Sequence, residues 1–157
     1  MIMTNDLLAR TVEALVLLRE ISETDASAEP DKPGAWTNKE EPGHLIDSAA
    51  NNHARLVRAA LDGHFAGPRY AQEEWVRLHG YRDLRWFFLV DMWRDYNRLL
   101  AHVVKRIPGD RLGAQCTISS GAPVTPEFLI DDYVLHMRHH LDHILSRDYV
   151  TPYPRLS

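Results

Sequence analysis

Four of the nine histidines fall within eight residues, in the run Tyr133-Val-Leu-His136-Met-Arg-His139-His140-Leu-Asp-His143-Ile144. The apolar residues of this run recur at helical spacing. On a helix, residues i and i+4 stand one above the other. Two pairs, His136/His140 and His139/His143, can therefore each offer two imidazoles to one metal ion. The same spacing also suits a solvated cluster on an exposed face, so spacing alone does not decide. The helical wheel ranks the pairs. Ile130, Tyr133, Val134, Met137, Leu141, Ile144 and Leu145 form one broad stripe, the face to be buried. His136 and His140 flank it on the edge shared with Leu129, whereas His139 and His143 lie further round, toward solvent or an outer rim. A metal site needs shelter and fixed rotamers, which favours His136/His140. Two imidazoles do not complete a site, so at least one ligand must come from elsewhere.

The other candidates are His44 and His53, on the second long helical segment. The apolar stripe there is Leu45, Ile46, Ala49, Ala50, Leu56, Val57 and Ala60, with His53 in its middle and His44 nearly opposite. Periodicity nominates His53 as the inward residue, although a lone histidine on an apolar stripe is more often a hydrogen-bonded core residue than a ligand. Small residues near His44 (Gly43, Ser48, Asn51) suggest that its side is covered too. Cys116 sits in a predicted loop with no adjacent histidine and reads as a free thiol rather than a nucleophile. No P-loop, dinucleotide fingerprint, nucleophile elbow or internal repeat is present.

Four helices must position these residues. The first spans Asn5 to about Glu23, capped by Thr4 or Asn5, with Leu8, Val12, Leu15 and Leu18 on its buried stripe. A Pro-, Ser- and acid-rich linker, Thr24 to Ala35, follows and closes on Trp36. The second helix starts at Thr37, where Thr37-Asn-Lys-Glu40 is a capping box, and runs to Asp62, with Gly63 as its stop. Residues 63–82 form a long connection with a short helix around Ala71 to Leu78; such a connection crosses the bundle or covers a site. The third helix, Asp83 to Ile107, has the seam Leu89, Trp93, Tyr96, Leu100, Val103 and Ile107. His102 lies off that seam, at the surface. A loop with an extended Cys-Thr-Ile piece leads to Thr125 and Pro126, a cap and a first-turn proline, and the fourth helix ends near Ser146. The proline-containing tail is extended or docked on the surface. With no convincing strands, this pattern predicts an all-α four-helix bundle, one domain over 1–157, with a long crossover between helices 2 and 3.

Bulk properties fit that reading. A chain of 157 residues, 45% hydrophobic and 25% charged, suits one soluble domain with a real core. A net charge of −4 argues against a nucleic-acid partner. No run of 18 apolar residues suggests a membrane span, and no signal peptide is evident. A single cysteine fits a reducing cytoplasm.

Trp36-Thr37, Gly43-His44-Leu-Ile-Asp47-Ser48, Tyr70-x4-Trp75 and Tyr133-Val-Leu-His136-x3-His140-x2-His143-Ile144, taken in order, resemble the DinB-like four-helix superfamily. The nearest pattern is that of its YfiT-type branch, described as metal-dependent hydrolases. The resemblance spans most of the chain. It implies three metal ligands, His44, His136 and His140, preferring His44 where periodicity prefers His53. It also implies a divalent cation, zinc or nickel; non-sequential packing of helices across the long second connection; and a homodimer. Three neutral imidazoles with an open position would activate water. Asp47, one turn after His44, and Asp132, one turn before His136, are candidates to orient ligand rings; a surface ion pair is the alternative for each and the favoured reading for Asp132. Tyr70 and Trp75 would line or lid the pocket, or only pack the crossover. The resulting expectation is a metal-dependent hydrolase of a small molecule, with no catalytic residue named. A metal-dependent transferase using a low-molecular-weight thiol is the first alternative. A non-enzymatic metal-binding or stress-related bundle protein is the second, disfavoured because structural sites usually carry four protein ligands.

Overall fold

The last helix begins where its residues dictate. Thr125 accepts a hydrogen bond from the Phe128 amide at 3.1 Å, and Pro126 occupies the first turn, where its missing N–H costs nothing. The computed structural model describes residues 2–153, with side chains from residue 7 onward. Four long helices carry the fold: α1 Ile2–Leu18, α3 Glu40–Asp62, α5 Trp86–Val104 and α6 Pro126–Ile144. Two short helices, α2 Glu23–Ala26 and α4 Gln72–His79, interrupt the connections.

Around the bundle, α1 packs against α5 and α6, and α3 packs against the same two. The consecutive long helices α1 and α3 are therefore diagonal, and the two long connections make this possible. The all-α bundle read from periodicity is the observed fold, and the packing is non-sequential. The core is built from the expected stripes on three helices: Leu45, Ile46, Ala49 and Leu56 of α3, Leu89, Trp93 and Leu100 of α5, and Ile130, Tyr133, Met137, Leu141 and Ile144 of α6 are all buried; on α1 the stripe is rotated, with Leu7, Thr11, Ala14 and Leu18 buried and Val12, expected inside, 63% exposed. Tyr133 donates to Asn97 Oδ1 at 2.7 Å, a satisfied polar link inside the apolar core. Among the described residues no helix is long and apolar enough to cross a membrane.

Local expectations need four corrections. The first helix already runs at Ile2, so Thr4 and Asn5 lie within it and do not cap it. It stops at Leu18, not Glu23, and the Leu18 carbonyl at this end accepts the Trp86 indole N–H at 3.0 Å. The linker contains a helical turn, α2, which Ser22 caps through the Asp25 amide. Strands exist: β1 His64–Gly67 and β2 Gln115–Ile118 pair in parallel, with Phe65 opposite Cys116. Four-residue strands carry too little alternation to be seen in sequence.

The entry to α3 matters most for the site. Glu40 Oε2 accepts the Thr37 amide at 2.8 Å, and Thr37 Oγ1 faces the Glu40 amide at 3.4 Å, the expected reciprocal box. Gly63 ends α3 with φ +77°, its amide bonded to the Ala59 carbonyl. Every residue from Pro42 to Ala49 is buried. The apolar stripe faces the core, while Trp36 and Tyr81 cover the other side of these turns. That double cover places His44 indoors although it lies off the stripe.

Gly43 is part of this cover. A Cβ there would lie 2.2–2.7 Å from the Tyr81 ring. Alanine would add about 1 kcal/mol of helix propensity, but the collision should outweigh it. Gly43→Ala is expected to lose about 1–3 kcal/mol of stability, read as a lower urea midpoint. An unchanged or higher midpoint would show that Tyr81 is not fixed there.

Candidate metal centre

His44 on α3 meets His136 and His140 on α6. His136 Nε2 lies 3.0 Å from His44 Nε2 and 3.0 Å from His140 Nε2, and the three residues each offer a ligand atom within 4.8 Å of the others. His44 and His136 are buried, and the His140 side chain is 13% exposed, the most accessible of the three. Burial and the neighbouring imidazoles pull the pKa of His44 down to about 3 and that of His136 down to about 2. Both rings are thus neutral near pH 7, the form that ligates metal.

These nitrogens fit a divalent cation. Ring nitrogens about 2.0–2.1 Å from one zinc-like ion stand roughly 3 Å apart, and two of the three spacings here are of that size. Without an ion, three ring nitrogens crowd at one point, and a single proton on His136 Nε2 cannot satisfy both neighbours well. The outer nitrogens behave as ligand rings need. His140 Nδ1 is hydrogen-bonded to Glu41 Oε2, and His136 Nδ1 lies 3.4 Å from Ser48 Oγ. His44 Nδ1 is buried without a partner among the described residues. Trp36 covers one face, its ring 4.7 Å from His44 and 6.1 Å from His140, held by its indole N–H on Glu73 at 3.1 Å.

The remaining candidates sit around this centre without touching it. Asp47 accepts from the Tyr81 hydroxyl at 2.7 Å and lies 3.1 Å from His79 Nδ1; it makes no bond to His44, and its second oxygen is buried and unpartnered. Burial raises its pKa. Asp132 takes the Tyr153 hydroxyl, at 2.9 and 3.1 Å, not His136, but the Tyr153 ring packs 4.9 Å from His136. Tyr70 and Trp75 pack with their rings tilted by 60° and centroids 5.1 Å apart; Tyr70 lies beside Ser48 and Trp75 reaches Asp47 only through His79. His53 is turned to the Tyr96 hydroxyl at 3.3 Å, away from the cluster. His139 bonds the Thr151 carbonyl at 2.7 Å, and His143 is exposed. Cys116 is fully buried, its thiol pushed up by burial, and so unreactive. His102 is exposed.

Sequence reasoning missed three contributors. Glu41 could have been found as the carboxylate one turn before His44. Ser48 was legible only as a small residue. Tyr153 had no signal, because the docking of the tail on α6 depends on Asp142 accepting both the Thr151 amide and its hydroxyl, at 2.7 and 2.5 Å.

No family model matches the sequence, and no curated protein does. Among solved structures, YfiT from Bacillus subtilis, described as a probable metal-dependent hydrolase with an unusual four-helix bundle topology, superimposes with a TM-score of 0.75. The match covers 92% of this chain and 86% of YfiT, at 18% identity. The fold is YfiT-like. The centre itself rests on its own geometry, which this bundle holds between α3 and α6.

Neutral burial has a consequence for the metal-free protein. The native state resists protonating His44 and His136, while the unfolded chain takes up those protons below about pH 6.5. Stability should therefore fall as pH drops from about 6.5 toward 4, with a slope approaching two protons, about 2.7 kcal/mol per pH unit. Asp47 and Asp132, whose pKa values are raised by burial, oppose this at the acid end. Urea denaturation across pH 4–7 of chelator-treated protein checks it; a flat profile contradicts buried neutral rings.

Proposed function

We propose that this protein is a metal-dependent hydrolase of a small molecule, with His44, His136 and His140 binding one divalent cation, zinc or nickel. The observation that carries this reading is the convergence of three Nε2 atoms, with two spacings of 3.0 Å, on one centre. Similarity to YfiT, itself described as a probable metal-dependent hydrolase, supports it. A divalent ion bound there would supply Lewis-acid polarisation and an activated water.

The chain's own residues do the rest. Glu41 accepts a hydrogen bond from the Nδ1–H of His140, which fixes the tautomer and leaves Nε2 free to ligate. Ser48 does the same for His136 more weakly. Trp36 and Tyr153 close two sides against water and hold the rings in place. His140, the most exposed of the three rings, marks the side from which a substrate would enter. Three protein ligands leave a coordination position for an exchangeable group, as hydrolytic sites require and structural sites do not.

Metal analysis of purified protein is the test. Wild type is expected to carry about one equivalent of zinc or nickel, and His140→Ala to lose most of it. Glu41→Gln should weaken affinity by about 10–100-fold while keeping the ligand set. Equal metal content in wild type and His140→Ala would remove the site. A screen of ester and amide substrates should then show hydrolysis abolished by chelation. Metal-dependent thiol conjugation without hydrolysis would replace the hydrolase reading with thiol transfer.

The proposal takes the protein as a homodimer, supported by exposed Val12 and Val16 on α1 and Phe87 and Phe88 on α5. Light scattering should give twice the 18.1 kDa chain mass; a monomer at micromolar concentration contradicts it.

A further inference from the structure

The face of α3 that carries His44 continues as Ser48, Asn52 and Arg55, at steps of four, four and three. Opposite it, α6 presents Asp132, His136 and His140 at steps of four. The helices run antiparallel, so one end of the seam holds the three histidines and the other brings Arg55 near Asp132. Arg55 is half-buried. Its guanidinium bends back along the helix, as helical side chains do, and makes one hydrogen bond, from Nη1 to Asn52 Oδ1 at 3.4 Å. It forms no ion pair among the described residues. Arg82 and Arg94 are better paired: Arg82 holds Glu29 through two bonds and Glu40 through a third, and Arg94 holds Asp91 and Asp95. Asp132 acts on Arg55 electrostatically without forming an ion pair with it, and its carboxylate accepts the Tyr153 hydroxyl.

A guanidinium offers five N–H donors in a planar fork that matches carboxylate and phosphate oxygens. None of its nitrogens is both buried and unpartnered among the described residues, so the donors it does not use within the chain remain reachable by a ligand. Burial lowers the pKa of Arg55. Tyr70 stands beside Ser48 and close to Arg55, so its hydroxyl can serve the same ligand.

We propose that Arg55, assisted by Tyr70, binds an anionic group of the substrate, a carboxylate or a phosphate, and so restricts the protein to small anionic molecules. This rests on the hydrolase reading above for the word substrate, but the anion site stands on its own geometry. Four residues of helix rise about 6 Å, so a group on the fork near Asn52 stands about that far beyond Ser48 and His136. A small molecule can span from there to the three-histidine centre.

The test uses the full chain, metal-free and zinc-loaded, titrated calorimetrically with succinate and with inorganic phosphate. Wild type is expected to bind at least one of them in the metal-free form, and the tighter of the two assigns the source of the charge. Arg55→Gln should weaken that binding at least tenfold, with zinc content unchanged; Arg55→Lys should recover part of it. Equal affinity in wild type and Arg55→Gln, or no anion binding by wild type, overturns the proposal. Should Arg55→Gln not fold, arginine-specific dicarbonyl labelling of wild type decides: the anion must protect Arg55, and unprotected labelling overturns the site. Loss of zinc binding with anion binding intact would instead defeat the metal reading alone.

Discussion

The structure depends on one contact, the antiparallel packing of α3 on α6 with His44 level with His136 and His140. A shift of one helical turn along either axis, about 5.4 Å, would separate rings that now stand 3.0 Å apart. Everything else in this region serves that register. The capping box at Thr37 and Glu40 sets where α3 begins, Thr125 and Pro126 set where α6 begins, and the buried apolar stripes of both helices lock the interface between these ends.

The rings are unfavourable guests in such an interface. Buried imidazole loses water on both nitrogens, and each lost bond costs free energy unless replaced. Glu41 and Ser48 replace two of the outer bonds. The inner three nitrogens have only one another, which is a poor arrangement for neutral rings and a good one for ligands of a shared cation. Arg55 lies further along the same seam, half-buried and with one hydrogen bond within the chain.

The helices and their core were legible because their apolar residues keep a period near 3.6, and the caps because Thr37, Gly63 and Thr125 have specific backbone chemistry. The pairing of His136 with His140 was legible from the wheel. His44 was not. On α3 periodicity pointed to His53, and it failed because residues 42–49 are covered on both sides, by the core and by Trp36 and Tyr81 from the connections. A wheel assumes one wet face, and this stretch has none. The resemblance of the motif pattern supplied His44 where periodicity could not. The short parallel strands and the docked tail that brings Tyr153 to His136 depend on contacts distant in sequence, which no local pattern encodes.

The central claim is that three imidazoles share one divalent ion and leave it an exchangeable position. X-ray absorption at the zinc edge of the zinc-loaded protein tests this directly. The account predicts three nitrogen scatterers with imidazole multiple scattering at about 2.0–2.1 Å and at least one oxygen that a small anion can displace. Two or fewer imidazoles, or a closed shell of four protein ligands, would contradict it.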